Sequence, residues 1–549
     1  MSPIKSTGSP LRAGMNLTQA LDAAIDVSPG GVALVCGEQR QDLREIRTGA
    51  DRLAQALAGR GVRAGDRVAL LVPNGAASVQ TVFGVWRLGA VVVHLDLRST
   101  PGELAEMVAT AGVETVVVDG DQRAAATERS LESVAVALVG RDRTLAVGEA
   151  GFSGWAGDEL PEPATAGAGD LAVAFCTSGT TGRPKLVGHT HRTVIASTMA
   201  LHRLHASFFD GTAGERARRV ATILRRHGRR AFRARGQQMW MTPIAFSSVS
   251  GHQVVLGALL GGHRLVTMRS FHPRVALELV QGERVNILAA TPSMAELMLA
   301  VRSIGSLDPS SLLVVGLGGG PVSPQLAQRV RERFGCGVGI GYGSTELGGG
   351  VLVSRLEDPV AVQTGTVGRP FPGSQVEVVG DDGVRVADGD IGELRCKVPS
   401  AMSGYLGPAP ASASTEQGDE ERWFCTGDLA TMDRLGNVRI VGRKIDMIVR
   451  GSQNVYPDDV ERVLARLPAI EQSAVVGVPD GPSGEQVWAF VTPAAGSTCT
   501  TGEVFAHCRE HLAAYKVPDH ICIRPMLPMT ADGKVQKFLL AEEALGTRG

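Results

Sequence analysis

The sequence predicts an α/β protein in which helices cover a largely parallel sheet, followed by a small β subdomain and a separate small α+β domain. Three observations predict it. Strand, helix, strand units repeat from about residue 17 to 169; short strands broken by glycine and aspartate turns fill 365–435; and an amphipathic helix followed by a strand restarts the pattern beyond Asp446. Repeats of the first kind imply parallel strands with helices on both faces, and the second kind implies antiparallel β structure. At 549 residues the chain exceeds one hydrophobic core, and length alone suggests roughly two to four domains or subdomains.

The elements follow from local pattern. Leu53 and Leu57 lie on one helical stripe ending near Gly59, and Arg67–Val72 is a short apolar run closed by Pro73 and Asn74, a buried strand. A helix through Val82 to Leu88 leads into the strand Ala90–Val93, and Val113–Val118 is another. Ala, Pro, Glu and Gly between Gly154 and Gly169 mark a surface link. Leu171–Cys176 reads as a strand, as do Val285–Ala290 and Leu312–Val315, while Val254–Leu260 reads as a helix. Ser323 caps a helix with Pro324 at its first position and Leu326, Val330 and Phe334 as its buried stripe. Farther on, Val438–Val441 is a strand, Pro457–Asp459 opens a helix with stripe Val460, Val463, Leu464 and Leu467, and Ser473–Val478 is a strand.

Composition excludes several classes. With 55 basic and 56 acidic residues the formal net charge is −1, so nothing global points to nucleic acid or a membrane surface. The 8 cysteines are scattered without CxxC or zinc spacing and read as free thiols of a reducing compartment. Neither an N-terminal apolar segment nor a run of the roughly 18 apolar residues that a membrane span requires is present, so a cytoplasmic location is expected.

Several stretches carry chemistry. Thr177-Ser178-Gly179-Thr180-Thr181-Gly182-Arg183-Pro184-Lys185 follows a strand, and glycines and hydroxyls there can turn N–H and O–H groups toward one point while Lys185 adds a cation. That is a phosphate cradle, although a polar turn without ligand has the same composition. It is not the Walker pattern, because Lys185 follows Pro184 and precedes Leu186. Gly318, Gly319 and Gly320 stand at the end of a strand, where a flat ring can approach the backbone, and Pro321 defeats the dinucleotide fingerprint. Gly341-Tyr342-Gly343-Ser344-Thr345-Glu346 sets an aromatic, hydroxyls and a carboxylate at another strand end: Tyr342 to stack on a base, Thr345 to bond phosphate, Glu346 to hold Mg2+. A helix cap at Ser344 or Thr345 is the alternative. His189 and His191 would share a strand face, yet no third metal ligand stands nearby. The Arg225–Arg235 run reads as a solvated, mobile insertion, with docking of a polyanion or an acidic carrier protein as the alternative. Met239–Phe246 and Val254–Leu260 are apolar enough to wall a pocket or to be core.

Thr177–Lys185, Gly341–Glu346, Thr426-Gly427-Asp428, Gly442-Arg443-Lys444-Ile445-Asp446 and Leu527–Lys534, in this order, give the chain from about 17 to 540 a specific resemblance to the adenylate-forming superfamily. That superfamily holds acyl-CoA synthetases, peptide adenylation domains and luciferases. The resemblance implies a large N-terminal domain at 17–442 with two parallel-type α/β sheet subdomains (about 17–180 and 181–365) and a small β subdomain (366–442). A hinge at 443–446 and a small mobile C-terminal domain at 447–549 would follow, with 1–16 a flexible N-terminus.

It further implies that a carboxylate attacks the α-phosphate of Mg-ATP, giving an acyl-adenylate that a thiol then takes. In those roles Thr177, Ser178, Gly179, Thr180, Thr181, Gly182 and Lys185 would hold the outer phosphates; Tyr342 and Gly343, with Gly318–Gly320, would pack on adenine; and Thr345 would meet the α-phosphate. Glu346 would hold Mg2+, Asp428 and Arg443 would reach the ribose, and Lys534 would bridge carboxylate and α-phosphate. A cation delivered where charge develops stabilises the transition state above the ground state.

The chain departs from the family at Phe246, near the substrate pocket, where many such ligases carry histidine; at Ile445, where the hinge usually has Lys or Asp; and in the basic insertion at about 210–236. Asn454–Pro457 and Ala514–Pro518 resemble the CoA-ligase branch, and no carrier domain is expected after Gly549. The expected function is therefore an AMP-forming carboxylic acid:CoA ligase using ATP, Mg2+ and CoA. Transfer to an acyl carrier protein or an amine is the alternative, and a silent nucleotide-binding protein the third reading.

Overall fold

The computed structural model describes residues 11–546 except 13, 28–29, 98, 100, 120–143, 148–165, 178–184, 208–211, 228–236, 303, 408–422, 451–452, 481–484, 495 and 530–534. Outside the described residues therefore lie most of the expected N-terminal tail, most of the 154–169 link, the phosphate loop Ser178–Pro184, the far part of the arginine run and Lys534. Two compact units are present: Met1–Gln375 with Lys397–Arg422, and Val376–Cys396 with Trp423–Gly549. Of the strands read from sequence as a β subdomain, those within 376–396 and beyond 423 cluster with the C-terminal elements, whereas Arg369–Pro370 and Gly404–Leu406 belong to the first unit.

The first unit holds two sheets. One is seven-stranded, in the order Gly404–Leu406, Lys185–Thr190, Leu171–Thr177, Val91–His94, Arg67–Leu71, Thr115–Asp119, Thr144–Val147. Its central pairings are parallel, and the hairpin of Leu171–Thr177 with Lys185–Thr190 is antiparallel. The other is nine-stranded, with Met239–Met241, Ile287–Ala290, Val314–Leu317 and Gly337–Ser344 parallel at its centre. Leu34–Cys36 pairs with Arg264–Thr267, so an early strand joins the later sheet. The hairpin carries the first sheet past residue 180 to Thr190, and a second sheet limited to 181–365 does not describe this topology.

Local chemistry explains the helices. Asp42 accepts from Glu45 N at 2.8 Å while Glu45 Oε2 accepts from Asp42 N at 2.8 Å, a reciprocal cap that starts Leu43–Gly59. Its stripe of Ile46, Ala50, Leu53 and Leu57 is fully buried. Ser323 Oγ accepts from Leu326 N at 3.1 Å ahead of Pro324, and Gly335 at φ 60° ends that helix in the left-handed conformation only glycine takes cheaply. Ala213–His227 is also helical, so Arg225 and Arg226 end a helix rather than open a loop.

The second unit contains a four-stranded sheet ending in Phe424–Met432 and Val438–Arg443, and a three-stranded sheet of Ile470–Pro479, Glu485–Pro493 and His520–Ile523. Alternation divides the latter: Val475, Val487, Ala489 and Val491 pack with Val460, Leu464, Val504 and Cys508, whereas Ala474, Val476, Val478 and Phe490 pack with Leu540 and Ala544. The helix begun at Pro457 stops at Leu464, and Leu467 still packs on that core. Among the described residues no helix is long and apolar enough to cross a membrane.

Candidate active site

In the first unit the hairpin sets Thr177 opposite Lys185, so the cation stands at the far end of the loop between them. Gly404–Leu406 pairs on the outer edge of Lys185–Thr190, with Tyr405 opposite Val187. This return brings the Tyr405 ring under Lys185, whose Nζ lies 5.3 Å from the ring centroid, a cation–π contact. Tyr405 Oη donates to Glu346 Oε1 at 3.2 Å. Burial, then the Glu346 charge, pushes the phenol up to about 12, so it stays a donor.

Glu346 and Thr345 sit at the carboxyl end of Gly337–Ser344, where ligands of open α/β sheets bind. Ser344 Oγ accepts from Leu347 N at 3.3 Å and Gly348 N donates to Thr345 O at 3.1 Å, closing a turn that leads into the next strand, Gly349–Val353, rather than a helix. Its backbone is held from outside: His189 Nε2 bonds Thr345 O at 2.8 Å and Met402 N donates to Glu346 O at 2.7 Å. A carbonyl only accepts, so His189 carries its proton on Nε2. Tyr342 and Gly343 flank a register shift against Gly349–Val353, and a Cβ on Gly343 would overlap the Gly349 carbonyl oxygen. The turn Gly318–Gly320 lies beside this strand end, with a Cβ on Gly318 only 3.3 Å from Gly341 O and Gly319 at φ +81°.

In the second unit Asp428 and Arg443 are cross-strand partners, with Arg443 Nε 3.1 Å from Asp428 Oδ1. Thr426 Oγ1 accepts from Asp428 N at 3.1 Å and donates to Leu394 O at 2.7 Å, which fixes the turn. Lys444 Nζ reaches Asp381 Oδ1 at 2.9 Å and Glu393 Oε2 at 3.2 Å, while Ile445 is 72% exposed. The structure therefore gathers Lys185, Thr345 and Glu346 in one unit and Asp428 and Arg443 in the other.

His189 and His191 do not form a metal pair. His191 begins a helix and its Nδ1 accepts from Leu17 N at 3.2 Å, and among the described residues no metal-binding cluster exists. Instead His189 lines a small recess, with room for about one water, together with Phe175, Thr193, Ser197, His252, Gln253 and Gly348. Phe246 is buried behind it, stacked on His252 at 4.8 Å between centroids, and is not one of its lining residues. Burial holds His94 down to about 3 and His189 to about 4, the latter against the raising pull of Thr345 O and Glu346. Sequence reasoning missed Tyr405, His94 and His252. A lone histidine in the apolar segment before Val254 was the signal available for the last.

A family model described as AMP-binding enzyme matches residues 21–406, and one described as AMP-binding enzyme C-terminal domain matches 459–534. A feruloyl-CoA synthase from an Amycolatopsis species is 33% identical, covering 93% of this chain and 95% of the relative. Triostin synthetase I from Streptomyces triostinicus is 31% identical, covering 94% and 92%. An anthranilate CoA ligase solved with anthranoyl-AMP has the same fold, with a TM-score of 0.83 at 24% identity, covering 98% of this chain and 99% of that one. By matched length, identity and the strand-end site, the chain belongs to the AMP-binding enzyme family of adenylate-forming ligases.

Proposed function

We propose that the protein is an AMP-forming acid:CoA ligase. A carboxylate oxygen attacks the α-phosphorus of ATP, the bond to pyrophosphate breaks, and the sulfur of CoA then attacks the acyl carbon and releases AMP. The observation that carries the reading is the convergence of Lys185, Tyr405 and Glu346 beside the Thr345 turn at a strand carboxyl end. Lys185, with Thr177, Ser178, Gly179, Thr180, Thr181 and Gly182, holds the outer phosphates; Tyr342, Gly343 and Gly318–Gly320 take adenine; Thr345 meets the α-phosphate.

Glu346 suits Mg2+. Tyr405 uses one of the roughly four acceptor positions of the carboxylate, and a hard cation takes one or two carboxylates beside phosphate oxygens. When bound, Mg2+ neutralises phosphate charge. Asp428 accepts from ribose hydroxyls with Arg443 alongside, and Lys534 places its ammonium on the carboxylate and α-phosphate. The proposed location is the cytoplasm, where ATP and CoA are supplied.

Transfer to a carrier protein or an amine is the second reading, its amine arm favoured by the similarity to an amide bond synthetase. Pyrophosphate release from Mg-ATP across aryl, short-chain and medium-chain acids, with and without CoA, tests both. Repeated turnover only with CoA is the expected result. Release that stalls near one equivalent in either condition rejects CoA as the acceptor.

A further inference from the structure

In the second unit Asp428 stands on a strand whose regular pairing breaks around it. On the neighbouring strand Gly392–Lys397, Glu393 pairs with Leu429 and Arg395 with Cys425, so the single residue Leu394 faces Thr426, Gly427 and Asp428 together. That is a bulge, which disrupts the local ladder and re-aims a side chain. Gly427 makes the bend in the left-handed region, at φ +72°. Side chains replace the ladder bonds: Asp428 N donates to Thr426 Oγ1 at 3.1 Å, Thr426 Oγ1 donates to Leu394 O at 2.7 Å, and Gly427 N donates to Glu393 Oε1 at 3.3 Å.

Glu393 is itself fixed. Leu394 is fully buried, and strand alternation turns Glu393 to the opposite face, where its side chain is 19% exposed. Lys444 Nζ donates to Glu393 Oε2 at 3.2 Å, while the residue before it, Arg443, donates from Nε to Asp428 Oδ1 at 3.1 Å. A ring closes through Lys444, Glu393, the Gly427–Asp428 peptide and Arg443, spanning three strands. With one carboxylate oxygen on a backbone N–H and the other on an ammonium, Glu393 has little freedom to turn. It therefore sets where Gly427, and with it Asp428, can sit. Lys444 also donates to Asp381 Oδ1 at 2.9 Å, on a carboxylate that is 94% exposed.

We infer that Glu393, held by Lys444, is a positioning residue for the nucleotide: it fixes the Thr426–Asp428 bulge so that the Asp428 carboxylate meets the ribose hydroxyls. The inference rests on the assignment of Asp428 to the ribose above. A group that bonds two neighbouring hydroxyls has to be held within about 0.5 Å of its productive place by residues behind it. A carboxylate on a bulge lacks the ladder bonds that hold an ordinary strand residue so closely, and the Glu393 carboxylate supplies that support from the next strand.

The test is calorimetric binding of Mg-ATP and of Mg-2′,3′-dideoxy-ATP to the full chain with no acid present. Wild type should favour ATP by about tenfold or more. Glu393→Leu, which removes both bonds of the carboxylate, should weaken ATP by about tenfold, leave dideoxy-ATP unchanged and so bring the ratio within about twofold. Glu393→Gln keeps an oxygen for Gly427 N and loses the charge on Lys444. It and Lys444→Met should each weaken ATP by about threefold, and the double variant no more than the stronger single one, because both break one link. Lys444→Arg should restore wild-type binding, and Asp381→Asn should keep it; a loss in Asp381→Asn equal to that in Lys444→Met would overturn the link. Damage to folding weakens both nucleotides alike, so the ratio separates positioning from stability, and the nearly isosteric Glu393→Gln gives the readout where Glu393→Leu does not fold. Wild-type discrimination kept in the Glu393 variants, or equal loss of both nucleotides, overturns the inference. Discrimination lost in Asp428→Ala but kept in the Glu393 variants sinks this inference alone, whereas a wild type that does not discriminate sinks the ribose assignment and the inference with it. A Glu393-dependent ratio without pyrophosphate release from any acid sinks the ligase reading alone.

Discussion

Tyr405 donates its hydroxyl to Glu346 Oε1 at 3.2 Å while its ring lies beneath the Lys185 ammonium, so one side chain ties the loop cation to the proposed magnesium carboxylate. Tyr405→Phe keeps the ring and removes the donor. It should lower kcat of adenylation by about tenfold, with half-saturation shifted to higher Mg2+. Tyr405→Ala, which also removes the surface under Lys185, should add a rise in KM for ATP. Equal KM values in the two variants would show that the ring does not position Lys185.

Gly343 and Gly320 separate packing from ligand contact. A methyl on Gly343 meets the Gly349 backbone, which cannot move without breaking the hairpin, so Gly343→Ala should destabilise the protein by about 1–3 kcal/mol in denaturant unfolding. On Gly320 the methyl meets only Pro292 at 3.8 Å. Gly320→Ala should therefore unfold with the wild type while its KM for ATP rises, because the added group stands where the proposed site takes adenine.

Asp428 is buried beside the half-exposed Arg443. Asp428→Ala should raise KM for ATP by about 10- to 100-fold, the range for a hydrogen bond to a charged group. It should also abolish discrimination between ATP and 2′,3′-dideoxy-ATP. Retained discrimination would place the ribose elsewhere.

Acid should destabilise the first unit. Burial lowers His94 to about 3 and His191 to about 4, from 6.5 when unfolded, and lowers His252 well below that value. Between these limits the unfolded chain binds the protons and the folded chain does not, so their stabilising contribution is complete above about 6.5 and is lost as pH falls toward the folded values. Each histidine adds up to about 1.4 kcal/mol per pH unit. His94→Phe should flatten the pH dependence of unfolding by one proton between about pH 4 and 6.5; an unchanged slope would contradict the buried neutral state.

Much of this was legible locally. The cap at Ser323 with Pro324, the stripe through Leu53 and Leu57, and the central apolar strands were all readable, because capping and periodicity act over a few residues. Lys185, Tyr342, Thr345, Glu346, Asp428 and Arg443 were legible as motif residues. Tyr405 was not, because its place depends on a strand that returns from residue 404 to pair with Lys185–Thr190.

The sequence by itself determined the α/β class, the order of the strand-end motifs and the family, since each rests on residue types at fixed short spacing. Tertiary structure alone decided that Leu34–Cys36 joins the later sheet, that His189 and His191 part company at a helix start, and that His252 sits inside a box of rings. Register across a sheet and burial of a ring are set by contacts between residues far apart in the chain, and such contacts leave no local pattern to read.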